Sequence, residues 1–258
     1  MTLPAEPGGH EARRVINVMG TVVSIRATQV DLPQGEVAAV FDAVEHWLAW
    51  VDRTFSTYRP DSQISRLGRG ELKLENCHRH VVAVLGTCAS MRATTDGYFA
   101  ACINGRLDPS AYVKGWAAQR ASTMLGDAGL VNHAISAGGD VVCAGFRSPG
   151  EPWRVGVTDP HDPGNLLVVI RVTDAGVATS GTAERGAHVV DPHTGRRALA
   201  LASVTVVGPD LGAADAYATA VLASGCARPS WFDRLAGYES LTVTAAGKND
   251  RTAGLRAS

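Results

Sequence analysis

No stretch of the sequence approaches the roughly 18 consecutive apolar residues that a membrane-spanning helix requires. The first residues, MTLPAEPGGHEARR, hold neither an apolar segment nor a cysteine. No secretory or lipoprotein leader is read there, and a cytoplasmic location is the expectation. Charge of one sign is missing too: 24 Lys and Arg stand against 25 Asp and Glu, a formal net charge of -1. That leaves no basic footprint for nucleic acid or an anionic membrane surface. The five cysteines, Cys77, Cys88, Cys102, Cys143 and Cys226, are odd in number and include no Cys-x-x-Cys pair. This argues against a disulfide framework and against a zinc site, and the thiols read as buried or incidental. There is no internal repeat, no low-complexity linker and no heptad run.

What remains is an ordinary globular composition, 45% hydrophobic and 19% charged over 258 residues, long enough to bury a substantial core. Residues 1–12, rich in Pro and Gly, are expected to be a flexible tail, 13–250 a single domain and 251–258 a second tail. Two β-rich runs flank Met19-Gly20-Thr21, predicting a strand broken by a turn or bulge. Val37, Val40, Phe41, Val44, Trp47, Leu48 and Val51 recur at helical spacing, predicting an amphipathic helix over 34–53. A polar loop around Pro60 leads to a short helical turn, and 79–94 reads as a second helix. Asp108 as N-cap, with Pro109 in the first helical position, opens a third helix that runs to about Gly126. From residue 133 the period changes to that of strands: 133–144 as a hairpin about Gly-Gly-Asp, then WRVGVTDP, LLVVIRVTDAGVATSG and SVTVVGP. Helices follow over 212–224 and 229–236, and LTVTA is a last strand. Helices and strands mix without regular βαβ alternation, so the fold class is α+β around mostly antiparallel sheets with flanking helices.

Four segments can carry chemistry. Lys114, about a turn and a half beyond the Asp108 cap, can reach back to the helix N-terminus, where free N–H groups and the dipole suit an anion such as a diphosphate. The plain alternative is a capped helix with a surface lysine. Gly115 would let something approach closely. Gly138-Gly139-Asp140 is most simply a hairpin turn, though its amides could meet a ligand. Thr179-Ser180-Gly181 reads as the end of a strand in a small polar loop. His188 beside the apolar Val189-Val190 is either structural or a general acid or base, and His193, inside the turn Asp191–Gly195, is expected to face solvent. Asp215 and Thr219 lie four apart, on one helical face, and offer hard oxygen donors of the kind Mg²⁺ prefers; simple capping is the alternative.

Taken in order, these segments resemble the ApbE-type flavin transferases, the FAD:protein FMN transferase family. The resemblance rests on Met19-Gly20-Thr21; on Phe55-Ser56-Thr57-Tyr58-Arg59 with Asp61-Ser62 and Ile64-Ser65; on Asp108-Pro109-Ser110 leading to Lys114-Gly115-Trp116-Ala117; and on Gly138-Gly139-Asp140. It continues through Thr179-Ser180-Gly181, His188-Val189-Val190-Asp191-Pro192 with Thr194-Gly195, and Ala214-Asp215-Ala216 with Ala218-Thr219-Ala220. These segments span residues 19 to 220.

The resemblance implies a Mg²⁺-dependent enzyme that takes FAD as substrate, transfers FMN to a Thr or Ser hydroxyl of an acceptor flavoprotein and releases AMP. It implies Mg²⁺ ligands at Asp215, Thr219 and the carbonyl of Ala111, and FAD contacts at Met19, Tyr58, Asp108, Lys114, Thr179 and Val189. Tyr58 would stack on or edge the flat isoalloxazine. His188, Lys114 and Asp215 are the catalytic candidates. Two alternatives share the pocket: a Mg²⁺-dependent pyrophosphatase giving FMN and AMP, and a non-catalytic FAD-binding protein. The chain departs from the family pattern at Phe99-Ala100-Ala101-Cys102, where Phe-Asp-Pro-Thr is frequent. It departs again at Asn104-Gly105-Arg106, where a longer adenine-contacting insertion is shortened, and at Ala111, where glycine is frequent.

Overall fold

The computed structural model describes residues 10–181 and 189–255. The chain opens with β1 (His10–Val18) and β2 (Thr21–Val30), paired antiparallel with Val18 opposite Thr21. Met19 and Gly20 both have positive φ, 55° and 67°. They form the two-residue turn whose twist suits a hairpin, so the break in this segment joins two strands rather than interrupting one. Because β1 begins at His10, residues 10–12 belong to the sheet and not to the expected tail.

Three helices follow: α1 (Gln34–Phe55), the short α2 (Gln63–Gly68) and α3 (Arg79–Thr94). In α1 the buried residues Val37, Phe41, Val44, Leu48 and Val51 form the expected stripe. Two very short strands that the composition did not reveal, β3 (Cys102–Ile103) and β4 (Arg106–Leu107), pair across Asn104-Gly105. They precede α4 (Ser110–Asp127). The helix starts one residue later than its cap signal suggested. Pro109 stands at the cap, and the Asp108 carboxylate accepts the Ser110 amide at 3.1 Å.

The strands β5 (His133–Ala137), β6 (Asp140–Ala144), β7 (Trp153–Asp159), β8 (Asp162–Val172), β9 (Ala175–Gly181) and β10 (Leu201–Gly208) come next. After them stand α5 (Leu211–Ser224), β11 (Glu239–Thr244) and β12 (Asn249–Arg251). Eight strands make one sheet in the order β1-β2-β5-β6-β9-β10-β11-β12, and every pairing is antiparallel. The fold is α+β. The chain past Arg251 is also tied in: the Thr252 hydroxyl accepts the Ser240 amide at 2.9 Å and Leu255 is buried. The second expected tail therefore begins too early.

The two faces of the sheet are covered differently. On one, α4 and α5 lie against β5, β6, β9 and β10, with α1 behind α4. The indole of Trp47 donates to the Ala117 carbonyl at 3.0 Å and pins α1 to α4. On the other, the β7–β8 hairpin packs Trp153, Val155, Ile170 and Val172 against Cys143, Val177 and Leu241. α5 is apolar nearly all round, as a helix enclosed by other elements must be. Asp210 caps it, accepting the Ala213 amide at 2.7 Å, and Gly225 closes it with φ 65°. Among the described residues no helix is long and apolar enough to cross a membrane. All five cysteines are free, and burial pushes the thiols of Cys88 and Cys143 up to about 12.

Candidate active site

Where α4 crosses α5, both backbones come unusually close. A Cβ on Gly115 would stand 2.6 Å from the Leu211 carbonyl, and one on Gly212 would stand 3.0 Å from the Trp116 amide. What Gly115 admits is thus the neighbouring helix rather than a ligand. This crossing brings Lys114 of α4 beside Asp215 of α5, with 3.5 Å between Nζ and Oδ2. The lysine does not lie free at the N-terminus of its own helix. Its ammonium is in direct contact with Asp140 Oδ2 and reaches Asp215 from the other side.

Asp140 is the first residue of β6, directly after the two-residue turn Gly138-Gly139, and is fully buried. The β6–β9 ladder ends at Val141 opposite Val177. The amide of Thr179, two residues further along β9, is taken by Asp140 Oδ1 at 3.0 Å. The side chain thus replaces the ladder bond that the end of β6 leaves unmade. One carboxylate thereby serves a strand amide with one oxygen and a lysine with the other. The turn's amides are what the sequence offers to a ligand; in the structure it is the carboxylate that reaches the cluster. The available signal was a charged residue opening an otherwise apolar strand.

Thr179, Ser180 and Gly181 do not form a loop; they continue β9, paired with Thr205, Val204 and Ser203 of β10. The Thr179 hydroxyl lies 2.8 Å from that of Thr205, and the Ser180 hydroxyl 3.0 Å from that of Thr219. Thr219 stands one turn after Asp215, so α5 presents a carboxylate and a hydroxyl side by side, both lining the cavity.

That cavity measures about 1060 Å³, the upper end of the range for small-molecule sites. Nine of the ten anticipated site residues line it: Met19, Tyr58, Asp108, Ala111, Lys114, Thr179, Val189, Asp215 and Thr219. The tenth, His188, lies outside the described residues. Asp215 and Lys114 belong to the floor, whereas Tyr58 is 91% exposed at the mouth. The tip of the β7–β8 hairpin (Thr158, Asp159, Pro160) and the β3–β4 turn (Ile103, Asn104, Arg106) complete the walls; the sequence points to Asn104-Gly105-Arg106 but not to the hairpin tip. Val189 and Val190 enter the wall from the turn 191–197. The His193 ring keeps an exposed edge, as expected, but it also bridges: Nε2 donates to the Asp96 carbonyl at 3.0 Å and the ring meets Tyr98 edge-on at 4.6 Å.

Behind the floor, His133 of β5 is buried. Its Nδ1 lies 2.6 Å from the Leu130 carbonyl, which can only accept, so that nitrogen carries the proton. Nε2 accepts from the Ser122 hydroxyl of α4 at 2.7 Å. Burial holds this imidazole below the ordinary 6.5, against the raising pull of the Leu130 carbonyl and of Asp174.

The fold and the site define an α+β protein with a largely buried acid–lysine cluster under a cavity of about 1060 Å³. The family model of the ApbE family matches residues 19–106 and 103–241, and the chain belongs to that family. It is 28% identical over 156 residues to a FAD:protein FMN transferase of Salmonella typhimurium, covering 57% of this chain and 45% of the relative. The protein of the same name from Escherichia coli is 30% identical over 156 residues, covering 57% and 44%. The one from Rhodobacter capsulatus is 29% identical over 195 residues, covering 72% and 34%. The chain thus spans less than half the length of these curated relatives. Several solved structures share the fold, and two of them illustrate it. They are the flavin transferase ApbE from Vibrio cholerae (TM-score 0.80, 20% identity, 96% of this chain and 98% of that one) and the ApbE protein from Thermotoga maritima (TM-score 0.80, 21% identity, 95% and 97%).

Proposed function

We propose that this protein is a Mg²⁺-dependent transferase that moves the FMN half of FAD onto a Thr or Ser hydroxyl of an acceptor flavoprotein. The observation that carries the reading is the convergence of Lys114, Asp215 and Thr219 on the floor of one large cavity. The donor set there suits Mg²⁺: a carboxylate and a hydroxyl four apart on α5. No cluster of three or more His, Cys, Asp or Glu side chains able to hold a metal occurs among the described residues. A cation here would therefore draw on hydroxyl, carbonyl and phosphate oxygens, the habit of Mg²⁺ rather than of zinc. Asp215, Thr219 and the Ala111 carbonyl would hold it. When bound, Mg²⁺ supplies neutralisation of the diphosphate charge.

The chain's own groups do the rest. Lys114 and the first amides of α4 receive the diphosphate oxygens. Tyr58 lies against the isoalloxazine at the mouth, with Met19 and Val189 as apolar contacts and Asp108 and Thr179 as polar ones. The acceptor hydroxyl oxygen bonds to the FMN-side phosphorus in line, the bond from that phosphorus to the bridging oxygen breaks, and AMP leaves with that oxygen. His188 is the candidate base for the hydroxyl proton.

Incubation with FAD, Mg²⁺ and an acceptor domain tests this. A flavin-fluorescent acceptor band, AMP release, and loss of both by at least about a thousandfold in Asp215→Ala are expected. AMP and free FMN without a labelled acceptor would replace transfer by hydrolysis. Bound FAD with no AMP would leave only a flavin-binding protein.

A further inference from the structure

We infer that Asp140 is a positioning residue that holds the Lys114 ammonium off Asp215 and so keeps Asp215 available to a divalent cation. This rests on the reading of Asp215 as a cation ligand. Two carboxylates and one ammonium meet on the floor, a net charge of −1 for the three. The lysine's closer partner is Asp140, and Asp215 stands at 3.5 Å. Asp140 cannot drift, because it is fully buried and its other oxygen is fixed by the Thr179 amide. A lysine side chain is a flexible stem with a point charge, and it goes to whichever anion is offered. Without the anion at 140, its remaining partner is Asp215. The ammonium would then sit where a cation must bind, and the net charge of the cluster would rise to zero. Asp140 thus sets the cation affinity of a site to which it contributes no ligand.

The test uses the full-length protein and Mg²⁺ alone, without FAD, with binding read by calorimetry and turnover read separately. Asp140→Asn keeps an oxygen for the Thr179 amide and removes only the charge. It is expected to weaken Mg²⁺ binding by about tenfold or more, and to raise the Mg²⁺ concentration needed for half-maximal transfer by a similar factor. The double variant Asp140→Asn with Lys114→Gln returns the cluster to −1 and is expected to recover most of the Mg²⁺ affinity. A purely architectural role for Asp140 would give no such recovery. If Asp140→Asn does not fold, Lys114→Arg serves instead: the wider guanidinium reaches both carboxylates and should lower Mg²⁺ affinity in the same way. Unchanged affinity in Asp140→Asn, or no recovery in the double variant, overturns the inference. Wild-type protein that binds no Mg²⁺ overturns the metal reading beneath it, a separate outcome.

Discussion

The floor and the mouth of the same cavity are built on opposite plans. The floor is made where α4, α5, β6 and β9 converge: its two carboxylates, Asp140 and Asp215, are buried, Lys114 is half-buried between them, and Lys114 and Asp140 each hold two partners. The mouth is made of turns and short connections: Met19-Gly20, Ser56–Tyr58, Asn104 of the β3–β4 turn and Val189-Val190, with Tyr58 and Arg106 largely in solvent. In the floor, position is fixed by packing, so a change there is felt as structure and chemistry together. At the mouth, side chains stand on turns with few neighbours, so a change there should alter what is bound and how tightly, and little else. Enzymes commonly divide labour this way, with a rigid scaffold carrying variable loops.

The sharpest way to break this contrast is with one methyl group in each place. Gly115→Ala drives a Cβ to 2.6 Å from the Leu211 carbonyl and 2.9 Å from the Gly212 Cα. Both obstacles are backbone, so the helices must separate. Overpacking of this kind costs about 1–3 kcal/mol or more, roughly 2–4 °C of Tm per kcal/mol in a chain of this size. Separation of α4 from α5 also parts Lys114 from Asp215, so transfer should fall by well over tenfold even far below the melting temperature. Gly105→Ala, in the β3–β4 turn, meets nothing within 4 Å and carries only the penalty of φ 76°, about 1–2 kcal/mol. Its turnover at saturating FAD should stay near wild type. Thermal melts and saturating-FAD rates for the pair decide the matter: equal losses would erase the distinction between floor and mouth.

The same division explains what could be read from the sequence. The periodic stripe of α1 and the alternating strands announce themselves because burial of a face leaves a repeat. The candidate residues on regular elements, Lys114 and the Asp215–Thr219 pair, are marked in the sequence by helical spacing, and their order with the turn motifs points to the family. Asp140 was not read as a site residue, because its role depends on where β6 ends relative to β9, a tertiary fact with no local signature. The start of β1 at His10 and the packing of Leu255 were missed for a similar reason: polar end segments are held by pairing with distant strands.

A smaller effect belongs to the mouth. Tyr58 is 91% exposed, so Tyr58→Ala removes almost no folded-state packing and Tm should move by less than about 2 °C. If the phenol ring lies against the isoalloxazine, the KM for FAD should rise roughly three- to tenfold, the scale of one lost ring contact. The maximal rate should change far less. A fall in maximal rate with KM unmoved would put Tyr58 in the chemistry and blur the floor–mouth boundary from the other side.

The smallest effect is expected behind the floor, where His133 ties β5 to α4. Its imidazole is held neutral, donating to Leu130 and accepting from Ser122, and its pKa lies below the ordinary 6.5. The unfolded chain takes up that proton near 6.5, the folded chain only at lower pH. Between the two values the unfolded state binds more protons, so stability is fully present above 6.5 and declines as pH falls towards the folded value. His133→Gln keeps a side-chain amide in place of the ring but cannot titrate. It should be less stable than wild type at pH 8, since the ring contacts are lost, yet lose less on acidification through this window. Melting curves for both proteins at pH 8.0, 6.5 and 5.5 isolate the difference. Parallel declines would mean that this histidine carries no part of the acid sensitivity, and that the layer behind the floor is as indifferent to pH as the turns at the mouth.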